Sequence, residues 1–516
     1  MRLYMQRYAA RALIILTVTW SLLWAGSQHI AEAYGRHGPR FQSWWKLLPK
    51  DRSFYHLTTQ KTWPLSSAER LATFGVFENL TDSRRDRHES VVLATCGGVS
   101  ASSCYVIDAV RSGPAADFPV SALGSAERMG LPLHTCLDRV GRWSPYEIVV
   151  QSTDWAETPT RQAVAQNTTA GTAIVIRAWD DCVWTLDIVR NIRAIVAETS
   201  VPLPAKYQVV VLLHIRNDSL AYEYRDRRKD LLVLLRVPEE LHAITHTWSY
   251  LEMEAAYPDV GAYDVFFHSY MPLQQLVLAN PAINHVWNWE LDVRYTGHYG
   301  HLLTNVDEFA SQDDAPSLQF DVPQLSKSEP NVASEKHHDT DFITFLPLFN
   351  ASCTDWVWRN YIINYDTQNL RNEPRASVLL TNRLSRRLLL QMHTENTHGS
   401  AMVAEMFAPT IVAEHEFRHV YAPHPIYMDR VWPPDVLDTV FNHGPNAEFA
   451  GSLAGVIDQE HHFAGSTWYY SDYFAQELYN RWMGLASKGP GSARWESKHG
   501  RICLPPMLLH PVKGRV

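Results

Sequence analysis

The sequence predicts an α/β fold in which a mostly parallel sheet is flanked by helices. Two apolar runs of strand length, joined by a segment with helical periodicity, lie within about forty residues of each other. This strand-helix-strand order is typical of parallel sheets, because a parallel pair needs a crossover connection. The second run is almost continuously apolar, which favours a strand covered on both faces.

Three segments carry this pattern. The first strand is predicted over Ala173–Trp179 and the second over Tyr207–Leu213. Between them, residues 181–198 place four apolar side chains at the spacing of one helical face, namely Trp184, Ile188, Ile192 and Ile195. Together the segments predict one βαβ unit at the start of the sheet.

The alternation of helix and strand continues further along the chain. A helix is predicted over 271–280, where it stops before Pro281, and a strand over 283–289. Residues 310–338 are polar and acidic and contain Pro and Ser, so we expect a long surface loop there. The remaining expected elements are a strand at 341–346, helices at 383–392 and 399–417, and a strand at 420–422.

The composition indicates a globular protein and argues against a nucleic-acid partner. The 516 residues include 46 Lys and Arg against 55 Asp and Glu, a formal net charge of −9. A nucleic-acid groove requires a basic face, and no long run of Lys or Arg supplies one. A chain of this length exceeds the size at which a single core stops growing, so one large domain or two fused domains are expected.

The N-terminal segment has the features of a membrane signal-anchor. Arg2, Arg7 and Arg11 precede an apolar run over Ala12–Ala25, and a positive flank keeps the N-terminus in the cytosol. A cleaved signal peptide is the alternative, because the run is short for a span of ~20 residues and Ala31–Ala33 is a passable cleavage site. The expected division is a cytosolic tail 1–11, an anchor 12–26, a stem 27–145 and a luminal domain 146–516.

Two further signals agree with a luminal location in the Golgi or ER, as a single-pass type II membrane protein. Four sequons for N-glycosylation occur, at Asn79, Asn167, Asn217 and Asn350. Six cysteines form an even set that can pair in an oxidising compartment, although fifteen pairings are formally possible. These cysteines are Cys96, Cys104, Cys136, Cys182, Cys353 and Cys503.

Two carboxylates directly after a predicted buried strand form the sharpest chemical feature. The strand at 283–289 runs into Glu290-Leu-Asp292, and Arg294 follows. In open α/β sheets, ligands bind beyond the carboxyl ends of the strands. Carboxylates there can hold Mg²⁺ or Mn²⁺, and the cation would neutralise a diphosphate leaving group that Arg294 also contacts. The alternative is a surface pair of carboxylates with Arg294 as its ion-pair partner.

Several long segments resemble the signatures of a fungal family of largely uncharacterised single-pass membrane proteins, a domain of unknown function. The segments are VWNWELDVRYTGHY (286–299), RLSRRLLLQMH (383–393), YAPHPIYMDRVWP (421–433), FAGSTWYYSDYFAQELYNRW (463–482) and CLPPMLLHPVK (503–513). The resemblance covers roughly residues 144–513. It implies kinship with glycosyltransferases of the GT-A fold, which use nucleotide-sugar donors and usually Mn²⁺.

The resemblance also implies roles for individual residues. Glu290 and Asp292 match the metal-binding acidic pair of that fold, with Glu in place of the first Asp, and His510 matches the His that completes the metal shell. Glu405 would be the catalytic base of an inverting enzyme. The segment from Arg177 to Asp181 would bind the nucleotide. Solvated carboxylates and a structural His are the alternatives for Glu405 and His510.

A competing motif points to a different chemistry. His415-Glu416-Phe-Arg-His419 matches the zinc-protease pattern, in which both imidazoles share one helical face and the Glu activates water. No third ligand is evident after it. The sequence thus favours a glycosyltransferase acting on a glycan or glycoprotein. A non-catalytic luminal glycan-binding or scaffold protein is the alternative, and a zinc metalloprotease is the remote one.

Overall fold

The structure, a computed structural model, describes residues 171–200, 206–311 and most of 339–422. The gaps in the third range are 347, 354–355, 366–369, 371–372 and 379, and shorter described pieces are 129–131, 137, 139–143, 146, 427, 467–468, 474–483 and 504–513. All of these residues belong to the second of two units, Phe54–Val516. The predicted tail, anchor, nearly all of the stem and residues 312–338 lie outside the described residues.

The central sheet contains seven strands among the described residues, which confirms the α/β class with a mostly parallel sheet. Numbered in chain order, their spatial order is 3-2-1-4-6-5-7, and only the sixth strand is antiparallel to its neighbours. The strands are β1 (Thr172–Trp179), β2 (Tyr207–Ile215), β3 (Thr245–Ser249), β4 (His285–Glu290), β5 (Phe342–Thr344), β6 (Asn382–Ser385) and β7 (His419–Tyr421).

Helices surround this sheet. In chain order, the described α-helices are α1 (Arg139–Trp143), α2 (Leu186–Thr199), α3 (Asp218–Glu223), α4 (Arg228–Leu234), α5 (Tyr250–Ala256), α6 (Met271–Ala279), α7 (Tyr299–Ser311), α8 (Arg386–Thr397), α9 (Ala404–Glu414) and α10 (Phe474–Trp482). Of these, α2 contacts α7, while α6 contacts α8, which in turn contacts α9. None of the described helices has the length and apolar character needed to cross a membrane.

The first βαβ unit forms as predicted. β1 and β2 are almost entirely buried and pair in parallel, with Thr172 opposite Tyr207. Between them, α2 begins at a Thr185 hydroxyl that accepts a hydrogen bond from the Ile188 amide at 3.3 Å. The helix is buried from Val189 onward, and the predicted apolar positions Ile192 and Ile195 lie in the core.

The strand order reverses beside β1. The chain steps from β1 to β2 and β3, and then returns to place β4 on the other side of β1. Because crossovers between parallel strands are right-handed, α2 and α6 cover opposite faces of the sheet. The point between β1 and β4 is therefore a topological switch point, where helices diverge and leave a crevice at the carboxyl ends.

Two predicted helices begin later than expected. The helix predicted over 383–392 begins at Arg386, because Asn382–Ser385 is the strand inserted between β4 and β5. The helix predicted over 399–417 is α9, Ala404–Glu414. Gly399 has a φ of 78°, and residues 401–402 pair with 362–363 as a small sheet, so the helix cannot start earlier.

Two of the sequons and one of the cysteines have described side chains. Asn217 is exposed and caps α3, whereas Asn350 is buried and its Oδ1 accepts from the Ser352 amide at 3.0 Å. A glycan on Asn350 is incompatible with that burial. Cys182 is free, and burial, aided by the charge of Asp181, raises the pKa of its thiol to about 11.

A buried ion-pair cluster joins α2, α10 and the segment after β4. Asp187 accepts from Arg294 Nη2 at 2.8 Å, from Arg190 Nη2 at 2.7 Å and from the Tyr479 hydroxyl at 2.5 Å. Burial alone would raise the pKa of Asp187, but the two guanidinium groups and the hydroxyl hold it well below its ordinary value. The cluster therefore stabilises the fold only while Asp187 is ionised.

We expect Asp187→Asn to lower the free energy of unfolding by about 3 kcal/mol at pH 7, because it leaves Arg294 without its charge partner. Since the folded pKa of Asp187 is depressed, its contribution is complete above the unfolded value of about 3.9 and is lost as the pH falls below it. Chemical denaturation measures the free energy of unfolding of the variant and of the natural chain. The difference between the two proteins should be smaller at pH 3.5 than at pH 7.

The matched control is Glu223→Gln, which removes an exposed pair with Arg227 on α3. Its effect should stay within about 0.5 kcal/mol at both pH values. Equal effects of the two substitutions would contradict a stabilising role for the buried cluster.

Candidate active site

Two charged side chains meet at the switch point of the sheet. Arg177 near the end of β1 lies opposite Glu290 at the end of β4 in the strand register. Their Nη2 and Oε1 atoms are 3.0 Å apart, and both side chains are 21% exposed. The Thr381 hydroxyl, directly before β6, donates to Glu290 Oε2 at 3.4 Å. Glu290 therefore lies at the carboxyl end of the sheet, beside the switch point, and its side chain is partly exposed.

A tight turn follows β4 and carries Asp292. The Val293 amide donates to the Glu290 carbonyl at 3.2 Å, which closes the turn. Arg294 holds this turn in place, because its Nη1 donates to the carbonyls of Leu291 at 2.7 Å and Val293 at 3.0 Å. The turn thus places Asp292 next to Glu290 instead of letting the chain continue along the strand direction.

The C-terminal segment returns to this turn and brings His510 with it. Leu508–Leu509 pairs antiparallel with Arg294–Tyr295, with Leu509 opposite Arg294. The Val512 amide then donates to the carbonyl of Asp292 at 2.8 Å. His510 consequently lies beside the two carboxylates, although it is more than two hundred residues away in the sequence.

The side chain of His510 faces both carboxylates. Its Nε2 is 3.4 Å from Asp292 Oδ1 and 3.8 Å from Glu290 Oε2. Burial alone would raise the pKa of Asp292, but the charge and hydrogen bond of His510 hold it below its ordinary value. We call Glu290, Asp292 and His510 the edge cluster. The structure brings all three predicted metal ligands together.

The contacts within the edge cluster are those of an ion-pair group. In the part of the chain that the structure describes, no group of three or more His, Cys, Asp or Glu is arranged to hold a metal ion. Glu290 pairs with Arg177, and Asp292 pairs with His510. The edge cluster nevertheless offers two carboxylates and one imidazole, which are ligand types that bind divalent transition metals.

The backbone and a buried ring fix the position of His510. Its amide donates to the Thr467 carbonyl at 2.9 Å, and its ring lies 5.4 Å from that of Trp468. Trp468 is fully buried and also packs edge-on against Phe345, just after β5. The imidazole is therefore held by the core of the domain and not by a loose tail.

The structure places Arg294 away from the crevice, which corrects the prediction that it contacts a diphosphate. The side chain is buried, and all three of its nitrogens donate inside the protein, to Asp187 and to the turn after β4. Arg294 resembles a phosphate ligand in the sequence because it follows the acidic pair by two residues. The guanidinium that does reach the crevice is that of Arg177.

Asp181 lies at the exposed end of β1. Its Oδ2 pairs with Arg216 Nη2 at 2.5 Å, and the same guanidinium pairs with Asp180 Oδ1 at 2.8 Å. Arg216 directly follows β2, so these charges line the carboxyl ends of two adjacent strands. Burial would raise the pKa of Asp180, but its hydrogen bonds to Arg216 lower it.

Glu405 lies in the first turn of α9, near Tyr270. The Tyr270 hydroxyl, at the start of α6, accepts a hydrogen bond from Asn382 Nδ2 at 2.8 Å. Burial raises the pKa of this hydroxyl, and the charges of Glu405 and Glu290 add to the increase while Arg177 opposes it. Tyr270 thus connects Glu405 electrostatically to the edge of the sheet.

Tyr270 and Asn382 belong to the site, yet sequence reasoning missed them. Tyr270 precedes an apolar helix, and Asn382 begins a strand of only four residues. Neither position has a periodic or motif signal, because both side chains are buried and are brought together by a hydrogen bond between distant segments. The one clue in the sequence is that Tyr270 precedes a helix that leads into β4, the strand that ends at Glu290.

The zinc-protease motif does not lie on a helix. α9 ends at Glu414, Glu416 has a φ of 54°, and His419 belongs to β7. His415 Nε2 lies 3.7 Å from a carboxylate oxygen of Glu395, while His419 Nε2 lies 3.2 Å from the Thr344 hydroxyl. The two imidazoles therefore do not share a helical face, and that prediction is wrong.

Comparison with known proteins identifies one family. The model of DUF3405, a protein of unknown function, matches residues 144–319 and 314–514. These ranges span more than half of the 516 residues and include the edge cluster, Arg177 and Glu405. No curated protein matches the chain.

The broken motif leads to a direct expectation about zinc. The purified chain should contain less than one zinc per molecule, and replacing both His415 and Glu416 with Ala should leave the metal content unchanged. Mass spectrometry of metals in the acid-digested protein measures this. Both side chains are exposed, so the double variant should fold normally. Stoichiometric zinc that disappears in the double variant would contradict the expectation.

Proposed function

The chain belongs to the DUF3405 family of unknown function, and we propose that it is a glycosyltransferase of the GT-A type. It would transfer a sugar from a nucleotide-diphosphate donor to a glycan or glycoprotein in the Golgi or ER, held to the membrane by residues 12–26. The observation that carries the proposal is the edge cluster at the switch point. The order 3-2-1-4 of the first four strands is also that of doubly wound nucleotide-binding sheets.

Mn²⁺, or else Mg²⁺, is the proposed cofactor. Glu290, Asp292 and His510 would hold it, and the imidazole favours Mn²⁺ because Mg²⁺ prefers oxygen ligands. The cation would supply positive charge against the diphosphate as it leaves. Arg177 contacts Glu290 and His510 contacts Asp292, so neither partly buried carboxylate lacks a partner.

The donor would bind along the carboxyl ends of β1, β2 and β4. Arg177 presents a planar guanidinium at the switch point, which suits a phosphate group. Asp181, with a side chain 66% exposed, is placed to accept hydrogen bonds from the ribose hydroxyls. Arg294 has no role in donor binding in this proposal and instead holds the turn that carries Asp292.

Glu405 would act as the general base of an inverting transfer. The acceptor hydroxyl gives its proton to the carboxylate as its oxygen bonds to the anomeric carbon. The bond from that carbon to the phosphate oxygen breaks, and the nucleoside diphosphate leaves with the electron pair. Tyr270, whose raised pKa keeps the hydroxyl protonated, can donate a hydrogen bond in the same region.

A non-catalytic glycan-binding or scaffold protein of the same fold is the second candidate. It is favoured by the contacts of the edge cluster, in which Glu290 already pairs with Arg177 and Asp292 already contacts His510. Binding of cation and nucleotide separates the two candidates, because a scaffold has no use for either.

Isothermal calorimetry of the purified chain with Mn²⁺ and then with UDP or GDP should give heat in both steps. Asp292→Asn should weaken Mn²⁺ binding at least about tenfold, since it removes a charged ligand. Asp226→Asn on the exposed surface is the control and should bind like the natural chain. The absence of both heats would remove the transferase proposal, and normal Mn²⁺ binding by Asp292→Asn would remove the proposed ligand set.

Glu405→Gln separates binding from chemistry. It keeps the shape of the side chain but cannot take a proton, so the rate of sugar transfer should fall at least about a hundredfold. Binding of Mn²⁺ and of the nucleotide should stay within about twofold of the natural chain, because neither contacts Glu405 in the proposal. The rate is measured as nucleotide release from UDP- and GDP-sugars in the presence of oligosaccharide acceptors. An unchanged rate would exclude Glu405 as the base.

A further inference from the structure

A cluster of four aromatic rings reaches the surface beside α9. Phe266 packs edge-on against Phe267 and Trp358, with ring centroids 5.1 and 5.6 Å apart. Phe267 stacks on Tyr361 at 4.1 Å, with an angle of 10° between the rings. Phe266 is 57% exposed, and Val357 next to Trp358 is 72% exposed. We call these four rings the aromatic surface.

Hydrogen bonds hold the aromatic surface in place. Asp264 Oδ1 accepts from the Phe266 amide at 2.8 Å, and the Asp264 carbonyl accepts from the amides of Phe267 and His268 at 3.1 and 2.9 Å. On the other segment, the Tyr361 hydroxyl lies 3.2 Å from His268 Nε2. Phe266 is therefore not an isolated exposed side chain but part of a contiguous apolar patch with Trp358 and Val357, and such patches mark binding sites.

The aromatic surface is continuous with the proposed catalytic residues. The Phe267 carbonyl accepts from the Ala404 amide at 2.7 Å, and the Tyr361 carbonyl accepts from the Val403 amide at 3.2 Å. Both aromatic segments therefore fix the start of α9, one residue from Glu405. The loop that carries Phe266 also ends at Tyr270, so five successive residues join the surface to the crevice.

We propose that the aromatic surface binds a pyranose ring of the glycan acceptor, with Phe266 and Trp358 under the C–H face of the sugar. The inference rests on the proposed transferase function and names its acceptor subsite. Apolar rings stack on that face, while the exposed carboxylate of Asp264 at the rim can accept from the sugar hydroxyls. This combination suits a neutral polyol better than a lipid chain.

The size of the surface also favours a sugar over a protein partner. Stable protein interfaces bury about 1,200–2,000 Å² in total, and four rings with one exposed Val provide far less. A single sugar ring, in contrast, needs only one or two aromatic partners. A second copy of the chain is therefore the weaker occupant, and the oligomeric state tests it.

The experiment uses the full purified chain and three variants on an array of immobilised oligosaccharides that end in mannose, galactose, glucose or N-acetylglucosamine. We expect Phe266→Ala and Trp358→Ala to weaken binding to the best oligosaccharide at least about fivefold through loss of stacking. The control Tyr222→Ala removes another exposed ring, 77% exposed on α3, and should bind like the natural chain. Calorimetry with Mn²⁺ and UDP or GDP is run on all four proteins.

The outcomes distinguish this inference from the proposed function. Glycan binding that falls in both surface variants but not in Tyr222→Ala, with unchanged Mn²⁺ and nucleotide binding, supports the acceptor subsite. Equal glycan binding in all four proteins, or no glycan binding by the natural chain, overturns it even if the nucleotide binds. Light scattering that shows dimers lost in Phe266→Ala, without any glycan binding, also overturns it in favour of self-association.

Discussion

The buried pair of Arg294 and Asp187 fixes the turn after β4, and the arrangement at the edge of the sheet depends on that turn. The guanidinium of Arg294 donates hydrogen bonds to Asp187 and to the carbonyls of Leu291 and Val293. Because the guanidinium is anchored in the core, the turn cannot relax away from the sheet. This places Asp292 beside Glu290, and it leaves the backbone of Arg294–Tyr295 open to pair with the C-terminal segment.

The carboxylates of the edge cluster already have contacts within the protein. Glu290 pairs with Arg177 and Asp292 contacts His510, so neither partly buried carboxylate is isolated. A divalent cation that arrives together with a diphosphate would bring both signs of charge at once. Such a pair of ligands adds little net charge to the site, which suits the proposed nucleotide-diphosphate donor.

The sequence was sufficient for the sheet class but not for the site. The unit of β1, α2 and β2 was predictable because each element is long and regularly apolar. β6 was not, since Asn382–Ser385 has no alternating pattern and takes its conformation from the strands on either side. His510 was placed at the site by family resemblance alone, because no local signal links it to Asp292. For Arg294 the error was the opposite one. Its proximity to the acidic pair in the sequence suggested a contact with the diphosphate, which the burial of its side chain prevents.

The pairing of Thr296 with Met507, 211 residues later, has a consequence for how the molecule acquires its site. Contacts of such separation close a very long loop, and they form late because the loop-closure entropy is paid before the contact is gained. The first βαβ unit needs no such closure and can form from neighbouring segments. The first βαβ unit can therefore form before Leu508–Leu509 pairs with Arg294–Tyr295, and secondary structure alone does not report that the edge cluster has assembled.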